Sequence, residues 1–200
     1  IDIALVSDAG TPTISDPGYY LVQKCIDNNI EFTLIPGPSS VINALVLSGL
    51  PTSSFSFLGF LPRKKSQKIK FIQSLKKEKN TIILFESAKR IESTLSCIAD
   101  EYSKNKKISL CREMTKLHEN IERGTAIYLL KKISNGELIL KGEFVVAIEP
   151  FSLKDNDLIF DDKIYKSFLD NMPAKEAAKI ISTITKENKR DIYKKLLELK

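Results

Sequence analysis

The sequence predicts an α/β fold: two α/β domains followed by a small helical appendage. Three observations carry that expectation. Short apolar runs rich in β-branched and aromatic residues alternate with stretches of helical periodicity over residues 1–150, the pattern of a largely parallel sheet joined by crossover helices. A hydrophobic content of 42% over 200 residues suffices for one large core or two small ones. Two turns rich in Pro and Gly, at residues 6–18 and 36–40, each follow a strand-like run, where open α/β sheets place their ligands.

The elements follow in order. Residues 1–6 read as a strand, and because the chain opens inside that run, a preceding N-terminal part is expected. Residues 19–27 read as a helix with Leu21, Val22, Cys25 and Ile26 on one face, and residues 31–35 as a second strand. Pro36-Gly37-Pro38 then turns into a helix over 39–47, and residues 50–54 form a joint. Beyond it come a strand at 55–60, a helix at 66–77 and a strand at 81–85. A helix at 90–102, a strand at 108–111, a helix at 126–134 and a strand at 143–148 complete the alternation. Residues 151–162 hold four aspartates among few large apolar groups and read as a linker. Helical patterns at 174–185 and 190–199 form the appendage. The expected division is 1–52 for the first domain, 53–150 for the second, 151–162 for the linker and 163–200 for the helical segment.

Composition narrows the function classes. The longest apolar patch, residues 41–50, is broken by Asn43, Ser48 and Gly49, far short of the ~18 residues of a membrane span. Cys25, Cys97 and Cys111 are odd in number and lack metal spacing, so reduced thiols, a cytoplasmic location and no metal are expected. The net charge of +6 is unevenly placed. Residues 63–79 carry eight basic side chains, among them Arg63, Lys64, Lys65 and Lys68, against Glu78 alone. Such a stretch is either a solvated helix face or an arm for a polyanion such as RNA.

The two turns share a design. Gly10 and Gly37 allow close backbone approach, Pro12, Pro36 and Pro38 stiffen the loops, and Ser39 or Ser40 can cap the next helix while offering a polar group. Neither contains the GxGxxG of a dinucleotide loop. The pair reads either as ordinary capped turns or as the walls of a site for a small polar ligand.

VSDAGTPTISDPG, PGPSS, FLGFLPRKK, LFESAKR, REMTKLHE and KGEFVVAIE occur in that order. Together they resemble the tetrapyrrole methylase superfamily and, within it, the ribosomal RNA small subunit methyltransferase I family. The resemblance is strong from Ile1 to Glu149 and looser in the tail. It implies S-adenosylmethionine-dependent 2′-O-methylation of a cytidine ribose in 16S ribosomal RNA of the small ribosomal subunit. It also implies a homodimer with the cofactor in a cleft between two α/β domains. By the same resemblance, Asp8, Gly10 and Thr11 match the first cofactor loop, and Ser40 and Val41 the second. Phe85 and Glu86 stand where the adenosine lies, and Gly142 and Glu143, after Lys141, match a last loop that reads the adenine edge. The family's preceding strand and loop are absent from this chain, which puts the competence of the chain by itself in question. Arg63, Lys64, Lys65 and Lys68 are the expected RNA contacts.

Methyl transfer to a ribose hydroxyl requires in-line geometry and benefits from a group that takes the 2′ proton. The candidates are Glu113, Lys116 and Glu86, then the Lys141/Glu143 pair and His118, each of which reads equally as an ion-pair or surface residue. Two other functions compete: a tetrapyrrole C-methyltransferase with the same fold, and an inactive remnant that only binds RNA or a partner. The basic stretch disfavours the first, because a small acidic macrocycle needs no extended positive arm.

Overall fold

The computed structural model describes residues 1–8, 10–151, 162–185 and 187–199. The chain divides into two compact units, Ile1–Phe151 and Ser152–Lys200. The first is built on a five-stranded sheet of β1 (Phe55–Phe60), β2 (Thr81–Ser87), β3 (Lys107–Arg112), β4 (Asn120–Thr125) and β5 (Glu143–Ile148), in the order β1-β2-β5-β3-β4. Alternation along each strand sorts the apolar side chains onto two faces. Ile82, Leu84, Ile108, Leu110, Phe144, Val146 and Ile148 pack on one face. That face is covered by α3 (Lys65–Ser74), α4 (Ala88–Glu101) and α5 (Ala126–Ser134), through residues such as Ile72, Ile91, Leu95 and Leu129. The other face, with Ile83, Cys111, Val145 and Ala147, lies under Val41, Ala44 and Leu45 of α2 (Ser40–Ser48). Each large aliphatic side chain so buried contributes roughly 1.5–3 kcal/mol.

The termini of α2 are secured from both ends. The Ser39 hydroxyl accepts from the Ile42 amide at 3.4 Å, and Gly49 closes the helix in the left-handed region at φ 74°. Arg123 of β4 reaches the far end of α2, donating Nε to the Leu47 carbonyl at 3.1 Å and to the Ser48 carbonyl at 3.3 Å. A cation at a helix C-terminus also complements the helix dipole.

Four differences from the expected elements have physical reasons. Only β1 and β2 run parallel; β2–β5, β3–β5 and β3–β4 are antiparallel. The short connection between β3 and β4 leaves no room for a crossover helix, and an antiparallel return is the pairing it permits. Strand β4 itself was not expected, because Asn120, Glu122 and Arg123 give it the polar composition of a sheet edge. Residues 1–6 and 31–35 form no strand among the described residues, and Ile1, Ile3, Val6, Phe32, Leu34 and Ile35 are exposed. Strand propensity without a ladder partner leaves the backbone irregular. Finally, α1 (Tyr19–Asp27) forms where expected but buries none of its residues.

The second unit holds α6 (Asp162–Asn171), α7 (Ala174–Thr185) and α8 (Lys189–Glu198) around Tyr165, Ala177, Ala178, Ile181, Ile192 and Leu196. Helix α6 adds to the two helices read from the sequence, and most of the expected linker lies outside the described residues. No helix among the described residues is long and apolar enough to cross a membrane.

Candidate functional site

One edge of the sheet gathers the C-terminal ends of β1, β2 and β3 with the start of β5, since Ser87 pairs with Glu143 and Arg112 with Phe144. A cavity of about 330 Å³ opens there, between those strand ends and the two turns. Pockets of this size hold small organic ligands. Of the residues the resemblance marks for cofactor, Thr11, Ser40, Val41, Phe85, Glu86, Gly142 and Glu143 line it. Gly10 sits behind them: a Cβ there would stand 3.8 Å from the Ser40 amide, and Thr11 Oγ1 donates to the Pro38 carbonyl at 3.4 Å. That bond ties the two turns together, and the bare Gly10 lets them approach. Asp8 is exposed and does not line the cavity; the wall there is formed by Asp16 with Ile14 and Ser15. Ser7 Oγ, donating to Asp16 Oδ2 at 2.6 Å, folds that loop back on itself.

Phe60 also reaches the cavity because the β1–β2 register shifts between Phe57 and Phe60. Gly59, at φ 67°, supplies the left-handed residue that this bulge needs. The bulge turns the Phe60 ring edge-on to Phe85, with centroids 5.4 Å apart. Neither Phe60 nor Met114, which also lines the cavity, was singled out from the sequence. Gly59 was the readable sign of the first, since a glycine inside a strand pattern marks a bulge. Met114 carries no such sign.

Glu113, Lys116 and Glu143 form a clamp. Lys116 Nζ lies 3.3 Å from Glu113 Oε1 and 3.0 Å from Glu143 Oε2. The Glu143 amide donates to Glu113 Oε1 at 2.8 Å, and the Glu113 amide returns a bond to the Glu143 carbonyl at 2.9 Å. That amide, with help from Lys116, holds the Glu113 carboxyl below its usual value. Burial pulls the Lys116 ammonium down, but its bonds to Glu143 and Glu113 outweigh burial and leave it raised. A weakened base and a firmly protonated lysine are poorly tuned for proton abstraction near neutrality. The clamp instead fixes the strand entry at Gly142, where a Cβ would overlap the Glu113 carboxyl.

Glu86 is 1% exposed, and both its oxygens are engaged. Oε1 accepts from the Ser87 amide at 2.9 Å and faces Arg90 Nε at 3.2 Å, while Oε2 accepts from Thr94 Oγ1 at 2.9 Å. Such a saturated carboxylate orients the wall it sits in and is not placed to take a proton. Arg90 donates a second nitrogen, Nη2, to the carbonyls of Leu61 and Pro62, each at 2.8 Å. That bond anchors the exit of the basic segment to the cavity wall.

The expected RNA contacts divide. Arg63, Lys64 and Lys65 are exposed, directly beyond that anchor. Lys68 is not: it is 4% exposed, and its Nζ donates to Ser93 Oγ at 2.7 Å and Thr94 Oγ1 at 3.4 Å. Helix periodicity turns it inward, against α4, where it cannot meet a phosphate. His118 is exposed on the loop that follows the clamp, and Arg112 Nη2 donates to its carbonyl.

Comparison with known proteins identifies the family of the chain. The tetrapyrrole (corrin/porphyrin) methylase family matches residues 1–128, and the RsmI C-terminal HTH domain matches residues 161–200. A ribosomal RNA small subunit methyltransferase I of Mesorhizobium japonicum is 39% identical over 198 residues, covering 99% of this chain and 67% of its own length. One of Buchnera aphidicola subsp. Schizaphis graminum is 40% identical over 204 residues, covering 99% of this chain and 70% of its own. One of Mycobacterium tuberculosis is 42% identical over 146 residues, covering 73% of this chain and 50% of its own. The chain thus spans half to about two thirds of the length of these relatives. Among solved structures, a cobalt precorrin-4 methyltransferase is 20% identical, covers 69% of this chain and 60% of its own, and gives a TM-score of 0.48. The chain belongs to the tetrapyrrole methylase family, in its ribosomal RNA small subunit methyltransferase I branch.

Proposed function

We propose that this chain carries the S-adenosylmethionine site and the RNA-binding arm of an enzyme that methylates the ribose 2′-hydroxyl of a cytidine in 16S ribosomal RNA. The observation that carries the reading is the convergence of both turns, the Phe60–Phe85 wall and the Gly142–Glu143 entry on one cavity. S-Adenosylmethionine supplies an activated methyl group on a sulfonium cation. The Asp16 and Glu143 carboxylates bias the cavity toward that cation, Phe60 and Phe85 offer an adenosine an aromatic face, and the first turn of α2 offers its amides to a carboxylate. Asp8, Gly10 and Thr11 shape the first turn around it. None of Glu113, Lys116 and Glu86 is suited as a base, so the chain accelerates transfer chiefly by holding donor and hydroxyl in line. The relatives' names point to ribosomal RNA, and the exposed Arg63, Lys64 and Lys65 suit its backbone. A homodimer in the cytoplasm completes the reading.

The test is incubation with radiolabelled S-adenosylmethionine and small-subunit RNA. The expected product is labelled RNA that resists alkaline cleavage after one cytidine, because a methylated 2′ oxygen cannot attack its own phosphate. Label that enters a tetrapyrrole precursor but not RNA overturns the reading.

A further inference from the structure

The loop from Glu113 to Glu119 is built in an unusual way. Glu113 and Thr115 both lie in the left-handed region, at φ 50° and 66°. A residue other than glycine adopts this region only under constraint, and a β-branched threonine is the harder case. A dense set of bonds holds them there. The Thr115 amide donates to Glu119 Oε2 at 2.8 Å, the Lys116 amide to the Glu113 carbonyl at 3.0 Å and the Glu119 amide to the Lys116 carbonyl at 3.2 Å. Below, Met114 is buried and lines the cavity, and Lys116 is tied to Glu113 and Glu143. At the tip, Leu117 is 94% exposed. A single surface leucine is ordinary on a mobile loop. Here the backbone is pinned three residues beyond a methionine that lines the cavity, and the tip it fixes is apolar, which is the economy of a pre-organised contact.

We propose that Leu117 is a wedge that holds the methylated nucleotide out of its RNA stack, a specificity role that rests on the RNA methyltransferase reading above. A ribose 2′-hydroxyl lies on the minor-groove side of stacked RNA, and a nucleotide turned out of its stack carries that hydroxyl deeper into a recess than a stacked one does. An apolar side chain on a fixed loop occupies the space the displaced base leaves and keeps it from closing. Charge favours RNA as the occupant of this rim: Arg63, Lys64 and Lys65 leave the same cavity wall just beyond Phe60 and supply the backbone contact that a wedge needs.

The wedge predicts a dependence on RNA structure that a general binding residue does not. Methyl transfer is measured for the parent, Leu117→Ala and Leu117→Met on folded small-subunit RNA and on a short unstructured RNA of the same target sequence. Leu117→Ala should lose about tenfold in kcat/KM on folded RNA and less than about twofold on the unstructured one, where there is no stack to open. Leu117→Met should stay near the parent on both. The melting temperature, S-adenosylmethionine affinity and salt dependence of RNA binding should not move, since the side chain touches neither core nor phosphate. Equal losses on both RNAs, or none on either, overturn the wedge; a protein docking on this tip instead would give the latter. A parent that binds neither S-adenosylmethionine nor small-subunit RNA overturns the function reading itself, an outcome distinct from a variant that matches an active parent.

Discussion

At the residue scale, the clamp at Gly142 is the point where backbone and electrostatics meet. Gly142 sits at φ 81°, and any side chain there meets the Glu113 carboxyl. Gly142→Ala should therefore push Glu113 away from Lys116 and weaken S-adenosylmethionine binding by at least tenfold, about 1.4 kcal/mol, as read by calorimetry on a still-folded variant. The clamp also has a pH signature. The Glu143 amide, followed by Lys116, holds Glu113 below the usual glutamate value of 4.5. A carboxylate depressed in the folded state stabilises above its unfolded value, and that stabilisation is lost as pH falls through the lower folded value. Carboxyl NMR should show Glu113 titrating below 4.5 in the parent and moving upward in Lys116→Met. Titration at the same pH in both proteins would remove Lys116 from the clamp. The sequence displayed Glu113, Lys116 and Glu143 as candidates, but not that the one lysine bridges both carboxylates. Their approach depends on the pairing of β3 with β5, which no local pattern encodes.

At the element scale, α3 and its approach separate two kinds of lysine. Replacing Arg63, Lys64 and Lys65 with alanine should weaken RNA binding uniformly and lower the salt slope by about two to three, since each phosphate contact contributes roughly 0.7 to 0.9. Cofactor affinity should hold. Lys68→Met should do the reverse, leaving the slope in place and lowering stability by roughly 1–3 kcal/mol through lost bonds to Ser93 and Thr94. A flattened slope in Lys68→Met would mean that the helix turns outward in solution. Charge density alone put all four residues in one class; only the packing of α3 on α4 distinguishes them. The same limit applies to the strands. β1, β2, β3 and β5 were legible because their alternation is apolar, and β4 was not because an edge strand tolerates Asn120, Glu122 and Arg123. Strand direction was misjudged where alternation was read as βαβ.

At the scale of the whole molecule, the family and the α/β class were legible because six motifs fall at one edge of the sheet or beside it. Residues 1–35 were less so. Their hydrophobicity predicts strands, yet a strand is a property of a ladder, and residues 1–35 join no ladder among the described residues. Tyr20, Leu34 and Ile35 stand exposed there. In an isologous dimer each copy covers the same surface of the other. Light scattering should give twice the 22.5 kDa of one chain, and a mass of one chain would oppose the homodimer.

Arg123 gives α2 a long reach. The helix begins at the cavity with Ser40 and Val41 and ends under a guanidinium that belongs to the outermost strand. A packed nine-residue helix transmits displacement as a rod does, with little slack. A ligand that displaces its first turn should therefore shift Leu47 and, through Arg123, the edge strand β4. The protein thus carries its own gauge: a fluorine-labelled side chain at the edge-strand position of Ile121 would register occupancy of a cavity it never touches.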